Sequence, residues 1–229
     1  MKNPTPPSPT ARTAARIALV TGASRGLGFA LAEALAAAGW HVLAVARTVG
    51  GLEELDDRIR AAGGSATLAP MDITDAEAMA HLAGSIAERW GGLGLWVHAA
   101  IHAAPLAPAG HLDLKDFDKS AACNIRATAA LIPLIEPLLR AADGTALFFD
   151  DPRGGEKFFG SYGASKAAQV ALARTWQAEC AKIGPRVLIE TPSAMPTATR
   201  GRFFPGEDRA TLRDPRDEAK RLLALLQDC

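Results

Sequence analysis

Short apolar segments alternate with stretches of helical periodicity along most of the chain. Six segments have the length and composition of strands that are buried on both faces, and they cover residues 17–20, 41–46, 66–69, 95–99, 145–149 and 186–189. Between them, apolar residues recur at the spacing of amphipathic helices. This alternation predicts a three-layer α/β fold with a parallel sheet and right-handed crossovers. The last periodic stretch, residues 215–227, reads as a helix, so six strands are expected.

Two helices are predicted in more detail. Thr74 is expected to cap the helix that follows the third strand, because its hydroxyl can accept a hydrogen bond from a free N–H group. Residues 112–142 are expected to hold a long helix, which Pro133 and Pro137 should bend or interrupt. A further helix is expected over residues 162–183.

A glycine-rich turn follows the first strand. Gly22, Gly26 and Gly28 form the pattern Thr-Gly-x-x-x-Gly-x-Gly ahead of an alanine-rich helical stretch. Glycines permit a tight turn, and the free N–H groups at a helix start attract phosphate oxygens. Strand, turn and helix in this order predict a dinucleotide site in a Rossmann-type fold. The turn residues expected to contact the cofactor are Gly22, Ser24, Arg25, Gly26, Leu27 and Gly28.

Tyr162 and Lys166 lie four residues apart in Ser-Tyr-Gly-Ala-Ser-Lys. On a helix these side chains share a face, and an ammonium beside a phenol favours the phenolate. Such a tyrosine can transfer a proton to or from a carbonyl or alcohol oxygen. The spacing alone is common on helices, so its meaning depends on the glycine turn about 140 residues earlier.

The glycine turn and the Tyr-x-x-x-Lys segment together resemble the short-chain dehydrogenase/reductase family, over roughly residues 16–200. The resemblance implies a sheet of order 3-2-1-4-5-6 and hydride transfer between a nicotinamide and a carbonyl or alcohol substrate. Tyr162 would be the general acid or base, and Lys166 would lower its pKa and hold the nicotinamide ribose. Asn124 would hold a relay water, unless it is merely satisfied locally within its helix.

The resemblance also implies further cofactor contacts and an assembly. Ala100 matches the small residue near the cofactor, and Thr197 matches a family threonine near the nicotinamide. Asp72 matches the aspartate that meets the adenine, although it could equally mark the start of the next helix. The helices over 112–142 and 162–183 resemble family dimer and tetramer contacts, so a homodimer or homotetramer is expected.

The end of the second strand indicates which dinucleotide is bound. Sites that select NAD place a carboxylate here for the ribose 2′-hydroxyl, whereas this chain has Ala46 followed by Arg47. A guanidinium can hold a 2′-phosphate with paired hydrogen bonds, and Arg25 supplies a second cation. The hypothesis is therefore NADP(H); the alternative is that Arg47 only ends a strand at the surface.

The serine that the family places after the fifth strand is missing. The family serine usually stands about thirteen residues before the tyrosine. Counting back thirteen residues from Tyr162 reaches Phe149, and Asp150 and Asp151 follow it. If the loop is two residues shorter than usual, Asp151 takes the serine position. An ionised aspartate cannot donate a hydrogen bond to a carbonyl, but a buried one could keep its proton. Alternatively, both aspartates only cap the loop or pair with Arg153.

A second departure lies after the fourth strand, where His98-Ala-Ala-Ile101 replaces the family's Asn-Asn-Ala-Gly. Because no carboxylate stands at a recognised spacing from His98, His102 or His111, a cleft histidine is favoured over a metal site. The two departures leave a second reading open, a cofactor-binding protein with little turnover that serves as a sensor or assembly subunit. A non-redox reaction on the same fold is a third.

Length and charge set the remaining expectations. The 229 residues carry no net charge, so no nucleic acid or anionic membrane surface is indicated as a partner. Residues 1–13, rich in proline, are expected to form a disordered tail, and residues 14–229 one domain. We expect no secretory signal and no segment of membrane-spanning length. Three separated cysteines suggest a reducing compartment, and the cytoplasm is therefore expected.

Overall fold

The computed structural model describes residues 16–227, so the predicted tail and Cys229 lie outside the described residues. Its centre is a six-stranded parallel sheet in the order β3-β2-β1-β4-β5-β6, which confirms the predicted topology. The strands are β1 (Ile17–Thr21), β2 (His41–Ala46), β3 (Ser65–Pro70), β4 (Leu95–His98), β5 (Thr145–Phe149) and β6 (Arg186–Glu190). The chain order reverses between β1 and β4, and ligands of such sheets bind beyond the strand ends at this point.

Helices cover both faces of the sheet. They are α1 (Gly26–Ala37), α2 (Val49–Ala61), α3 (Ala76–Trp90), α4 (Leu114–Ser120), α5 (Ala127–Ala141), α6 (Gly160–Cys180), α7 (Ala198–Phe203) and α8 (Pro215–Gln227). The predicted amphipathic C-terminal helix is α8, where Ala219 and Leu222 are buried and join the core beside α1. No seventh strand occurs within residues 16–227.

The long helix differs from its prediction. It runs from Leu114 to Ala141 and continues past both prolines; a π turn over Ala121–Arg126 separates α4 from α5. Pro133 and Pro137 lie four residues apart on the exposed face. There, the carbonyl groups that lose an N–H partner can bond to water instead, so the helix tolerates both residues.

The predicted cap of α3 was wrong by one residue. Asp75 is the N-cap, and its carboxylate accepts a hydrogen bond from the N–H of Ala78 at 3.0 Å. Thr74 instead donates both its backbone N–H and its hydroxyl to Asp72 Oδ1, each at 2.9 Å. The aspartate therefore holds the threonine in the turn before the helix, and the next acidic residue takes the capping position.

The Leu114–Ala141 helix also corrects the expectation about membrane-spanning length. By length and composition it is the one helix among residues 16–227 that could cross a membrane. Its inner face packs in the core, where Leu131, Ile135 and Leu139 are buried with residues of β4 and α3. Burial in the core accounts for its apolar composition.

Candidate active site

A cleft with a cavity volume of about 620 Å³ opens at the carboxyl ends of the strands. It brings together residues that are far apart in the sequence, from the turn after β1 to the segment after β6. All of the sequence-predicted cofactor residues line it: Gly22, Ser24, Arg25, Gly26, Leu27, Gly28, Arg47, Asp72, Ala100, Tyr162, Lys166 and Thr197. Asn124 is not among the lining residues.

The glycine turn forms the floor of one end of the cleft. Gly22 has a positive φ of 84°, and a Cβ on it would lie 2.6 Å from the backbone nitrogen of Ala100. A side chain at this position would therefore collide with the segment after β4. The N-cap of α1, Arg25, makes no side-chain capping bond, and the first turn of α1 carries no acidic residue. Free N–H groups without a carboxylate suit the phosphates of a dinucleotide.

The two residues predicted to choose the nucleotide face each other at the rim. Arg47 Nη1 lies 3.5 Å from Asp72 Oδ2, and both side chains are substantially exposed. Burial opposes ionisation of Asp72, but the hydrogen bonds from Thr74 together with Arg47 outweigh it and lower its pKa. Exposed ion pairs contribute little stability, so Arg47 can turn from Asp72 to a phosphate at low cost.

The Tyr162 hydroxyl donates a hydrogen bond to Asp151, one of the two aspartates considered for the serine position. The distance from Tyr162 Oη to Asp151 Oδ2 is 2.9 Å, and Arg153 Nε lies 3.0 Å from the other oxygen of Asp151. Asp150 instead points to Arg174 on α6, at 3.3 Å. Asp151 therefore pairs with Arg153, as one of the two interpretations expected. It also accepts the hydrogen bond from the tyrosine hydroxyl.

A glycine next to the tyrosine lets this loop approach. A Cβ on Gly163 would lie 2.5 Å from the carbonyl oxygen of Arg153. Because Gly163 has no side chain, the backbone at residues 153 and 154 packs directly against the first turn of α6. Asp151 is thereby held at hydrogen-bonding distance from Tyr162.

The expected lowering of the tyrosine pKa is not found. Burial raises the pKa of Tyr162, and the negative charge of Asp151, which accepts its hydrogen bond, raises it further. Phenolate is disfavoured because a low-dielectric environment and a nearby anion both oppose a second negative charge. Tyr162 therefore keeps its proton in this structure, and its hydroxyl donates a hydrogen bond to a carboxylate.

Lys166 is fully buried and has a partner that the sequence reasoning missed. Its Nζ donates to Gln169 Oε1 at 2.8 Å, and Gln169 Nε2 donates to Thr128 Oγ1 at 3.1 Å. Burial lowers the pKa of Lys166 to about 8. The i, i+3 spacing on α6 could have indicated the pair. Lys166 nevertheless is one of the residues that line the cleft.

His98 replaces the first family asparagine and is buried at the end of β4. Its Nδ1 lies 2.8 Å from Thr21 Oγ1, and its Nε2 lies 3.0 Å from Thr128 Oγ1. Burial, with a smaller contribution from Lys166, lowers the pKa of His98 to about 3. The imidazole is therefore neutral and links β1, β4 and the long helix.

Acidification should destabilise the fold through His98. Because the folded-state pKa is depressed from 6.5 to about 3, the unfolded chain binds the proton first, and stability is lost as the pH falls from 6.5 towards 3. By pH 5 the loss is about 2 kcal/mol. Urea unfolding at several pH values should show this slope in the wild type and a smaller one in His98→Asn. Equal slopes would contradict a buried neutral histidine.

Asn124 lies in the π turn with its side-chain amide occupied by protein groups. Its Oδ1 accepts the N–H of His102 at 2.7 Å, while its Nδ2 donates to His102 O and to Ser165 Oγ, both at 2.9 Å. These bonds tie the long helix to the segment after β4 and to α6. The relay water remains a prediction, and the alternative of local satisfaction within its own helix is wrong, because the side-chain partners belong to other segments.

An aromatic wall adjoins the tyrosine. The Tyr162 and Phe203 ring centroids are 4.8 Å apart, and those of Phe159 and Phe203 are 5.0 Å apart. Phe203 comes from α7, whose N-cap Thr197 lies beside Gly26 of the glycine turn. The residues after Thr197 thus cover the tyrosine end of the cleft. The sequence did not indicate this position, because the segment has no distinctive feature beyond two phenylalanines and several arginines.

Among the described residues, the histidines and cysteines do not form a cluster. His98 and His102 line the cleft, as expected for a cleft histidine, while His111 is exposed outside it. Cys123 and Cys180 are free thiols. Within residues 16–227, no group of three His, Cys, Asp or Glu residues is placed to hold a metal ion.

Comparison with known proteins identifies the family. The model of the short chain dehydrogenase family matches residues 16–208, and the chain belongs to that family. It is 31% identical over 192 residues to a fatty acyl-CoA reductase of Acinetobacter baylyi, covering 80% of this chain but only 65% of that protein. Further relatives include an uncharacterized oxidoreductase of Mycobacterium tuberculosis and a D-threitol dehydrogenase of Mycolicibacterium smegmatis, of which this chain spans 59% and 71%.

Solved structures share the fold over nearly the whole chain. A Shigella flexneri protein complexed with NADP is 27% identical, with a TM-score of 0.84 over 92% of this chain and 90% of that one. An alcohol dehydrogenase of Thermococcus sibiricus, complexed with 5-hydroxy-NADP, is 26% identical, with a TM-score of 0.80 over 93% and 90% of the two chains. Both relatives were solved with NADP-type ligands.

Proposed function

We propose that the protein is an NADP(H)-dependent oxidoreductase that transfers hydride between the nicotinamide and a carbonyl or alcohol carbon. The observation that carries this proposal is that Tyr162 and Lys166 line the same cleft as the glycine turn. When bound, the dinucleotide supplies or accepts the hydride. Tyr162 holds the proton that the substrate oxygen needs, and Lys166 is placed to bind the ribose.

Carbonyl reduction should be slow in the wild-type protein. A carbonyl oxygen gains negative charge as hydride arrives, and that charge needs donors in the site. Here the tyrosine hydroxyl donates to Asp151, and the Asp151 carboxylate is itself an acceptor. A carbonyl substrate must therefore displace Asp151 from Tyr162 and develop its charge beside an anion.

The same contact motivates a second candidate function. If the Tyr162–Asp151 bond persists when ligands bind, the protein holds the dinucleotide without efficient turnover and serves as a sensor or assembly subunit. Restoring a serine at residue 151 distinguishes the two functions, with NADPH oxidation as the measurement. NADPH binding without oxidation in either the wild type or Asp151→Ser would count against the oxidoreductase.

Arg47 is proposed to select NADP(H) over NAD(H). Replacing it in Arg47→Ala should weaken NADP⁺ binding about 10- to 100-fold, because charge-assisted hydrogen bonds to the 2′-phosphate are lost. NAD⁺ binding should change little. Isothermal titration with both nucleotides measures this, and Arg60→Ala, an exposed arginine outside the cleft, is the matched control. Comparable wild-type affinities for the two nucleotides would refute the assignment.

A homodimer or homotetramer in the cytoplasm stays a prediction. The long helix offers some support, since Leu114 and Phe117 present large exposed apolar side chains on it. Such residues are enriched where surfaces meet a partner.

A further inference from the structure

The charge at the tyrosine end of the cleft is unusual for carbonyl chemistry. Arg153 bonds to two carboxylates, with its Nε 3.0 Å from Asp151 and its Nη1 2.9 Å from Glu156. Two carboxylates share one guanidinium, so this group of three carries a net charge of −1. Its free acceptor positions lie on Asp151, which lines the cleft.

The other cations near this end each donate to a protein acceptor, and two of them, Lys166 and Arg202, donate to neutral groups and keep their charge. Arg200 forms a two-bond pair with Glu207, at 2.6 and 2.5 Å. Arg202 donates to the backbone oxygen of Ala103. Arg174 faces Asp150 from the outer side of α6. The carboxylate of Asp151 is thus the acceptor that faces the space beside Tyr162.

Aromatic rings lie beside Tyr162 and the Asp151–Arg153 pair. The Phe203 ring is tilted against Tyr162, and Phe159 packs edge-on against Phe203. The faces of aromatic rings attract cations, most strongly where water is excluded. A carboxylate together with aromatic rings recognises a cationic nitrogen, and an N–H⁺ group can donate to Asp151 in the place of the tyrosine hydroxyl.

From this arrangement we propose that the cleft binds a cationic nitrogen and that the substrate is a protonated C=N compound, an iminium, rather than a neutral carbonyl. The substrate claim rests on the proposed hydride-transfer function. Asp151 holds the cationic nitrogen by charge, and also by a hydrogen bond where the nitrogen carries a proton, which acts mainly on substrate affinity. Tyr162 remains its neighbour and keeps its proton.

The reaction balances without a further reactant. The iminium carbon gains a hydrogen with its electron pair, and the π pair of the C=N bond becomes the lone pair on nitrogen. The nitrogen keeps the proton it brought, so Tyr162 need not supply one. The substrate is reduced to an amine, and NADPH is oxidised to NADP⁺.

Binding to the cofactor-free protein tests the cation site. The probes are 1,2,3,4-tetrahydroisoquinoline, which is a cation at neutral pH, and its uncharged oxygen analogue isochroman, each followed by isothermal titration. The wild type should prefer the cation, and Asp151→Asn should lose about 10- to 100-fold of that affinity. Asp118→Asn removes an exposed carboxylate outside the cleft and should retain the preference. Equal affinity for the two probes, or an unchanged preference in Asp151→Asn, would overturn the site.

Turnover with NADPH tests the substrate class. The wild type should reduce N-methyl-3,4-dihydroisoquinolinium with a kcat/KM at least about 10-fold above that for the ketone 2-tetralone. The Asp151→Asn variant should raise the KM for the cation more than it lowers kcat. Faster reduction of 2-tetralone would overturn the inference and uphold the proposed function. Cation binding without NADPH oxidation by the wild type or Asp151→Ser would uphold the binding site and overturn the oxidoreductase.

Discussion

Asp151→Ser should increase kcat/KM for the reduction of 2-tetralone by about 10²–10³-fold, because one preorganised donor at an oxyanion is worth that much. The substitution frees the Tyr162 hydroxyl, whose bond to Asp151 Oδ2 is 2.9 Å long in the wild type. It also removes the anion that opposes charge on the substrate oxygen. NADPH oxidation under steady-state conditions is the measurement.

The neighbouring aspartate provides the control for this gain. Asp150 makes its contact with Arg174 rather than with the tyrosine, so Asp150→Ser should not produce the increase. NADP⁺ affinity should stay the same in both variants, since the glycine turn is unchanged. A gain from Asp150→Ser alone would mean that the serine position has been assigned to the wrong residue.

Tyr162→Phe, added to Asp151→Ser, should reduce kcat/KM for 2-tetralone by about 10²–10⁴-fold, the usual contribution of a positioned general acid. The phenylalanine keeps the ring packing on Phe203, where the centroids are 4.8 Å apart. Reduction of N-methyl-3,4-dihydroisoquinolinium needs no proton, so the same substitution should affect it little.

The contrast between these two substrates separates chemistry from structure. A loss confined to the ketone identifies Tyr162 as the proton donor. Equal losses with both substrates would indicate that Tyr162 acts only by shaping the cleft, and a ketone activity unchanged by Tyr162→Phe would exclude it as the acid. NADP⁺ titration checks that the cofactor end of the cleft is intact.

Local sequence was enough to predict the sheet and the cofactor end of the cleft. Strand composition and alternation predict the parallel sheet, and the resemblance to the family adds the order β3-β2-β1-β4-β5-β6 that is observed. Gly22 and its neighbours form a contiguous turn that lines the cleft. Arg47 and Asp72 lie directly after strands, so the topology carries them to the same edge. Such features need only short-range rules and a known connectivity.

The tyrosine end depended on contacts between distant segments. Asp150 and Asp151 are indistinguishable in sequence, and the path of the loop against Gly163 decides which one meets Tyr162. Likewise, Lys166 could contact the phenol or Gln169, and the packing of α6 on the long helix selects Gln169. The predicted interruption of that helix at its prolines was wrong because their exposure was not known.

By itself, then, the amino-acid order determined the layers, the glycine turn and the residue types at the strand ends, because each follows from neighbours along the chain. Only the folded arrangement decided that Asp151 accepts the Tyr162 hydroxyl, that His98 is buried and neutral, and that Phe203 closes the cleft. Those outcomes depend on distances of a few ångströms between segments far apart in sequence, which periodicity and spacing do not contain.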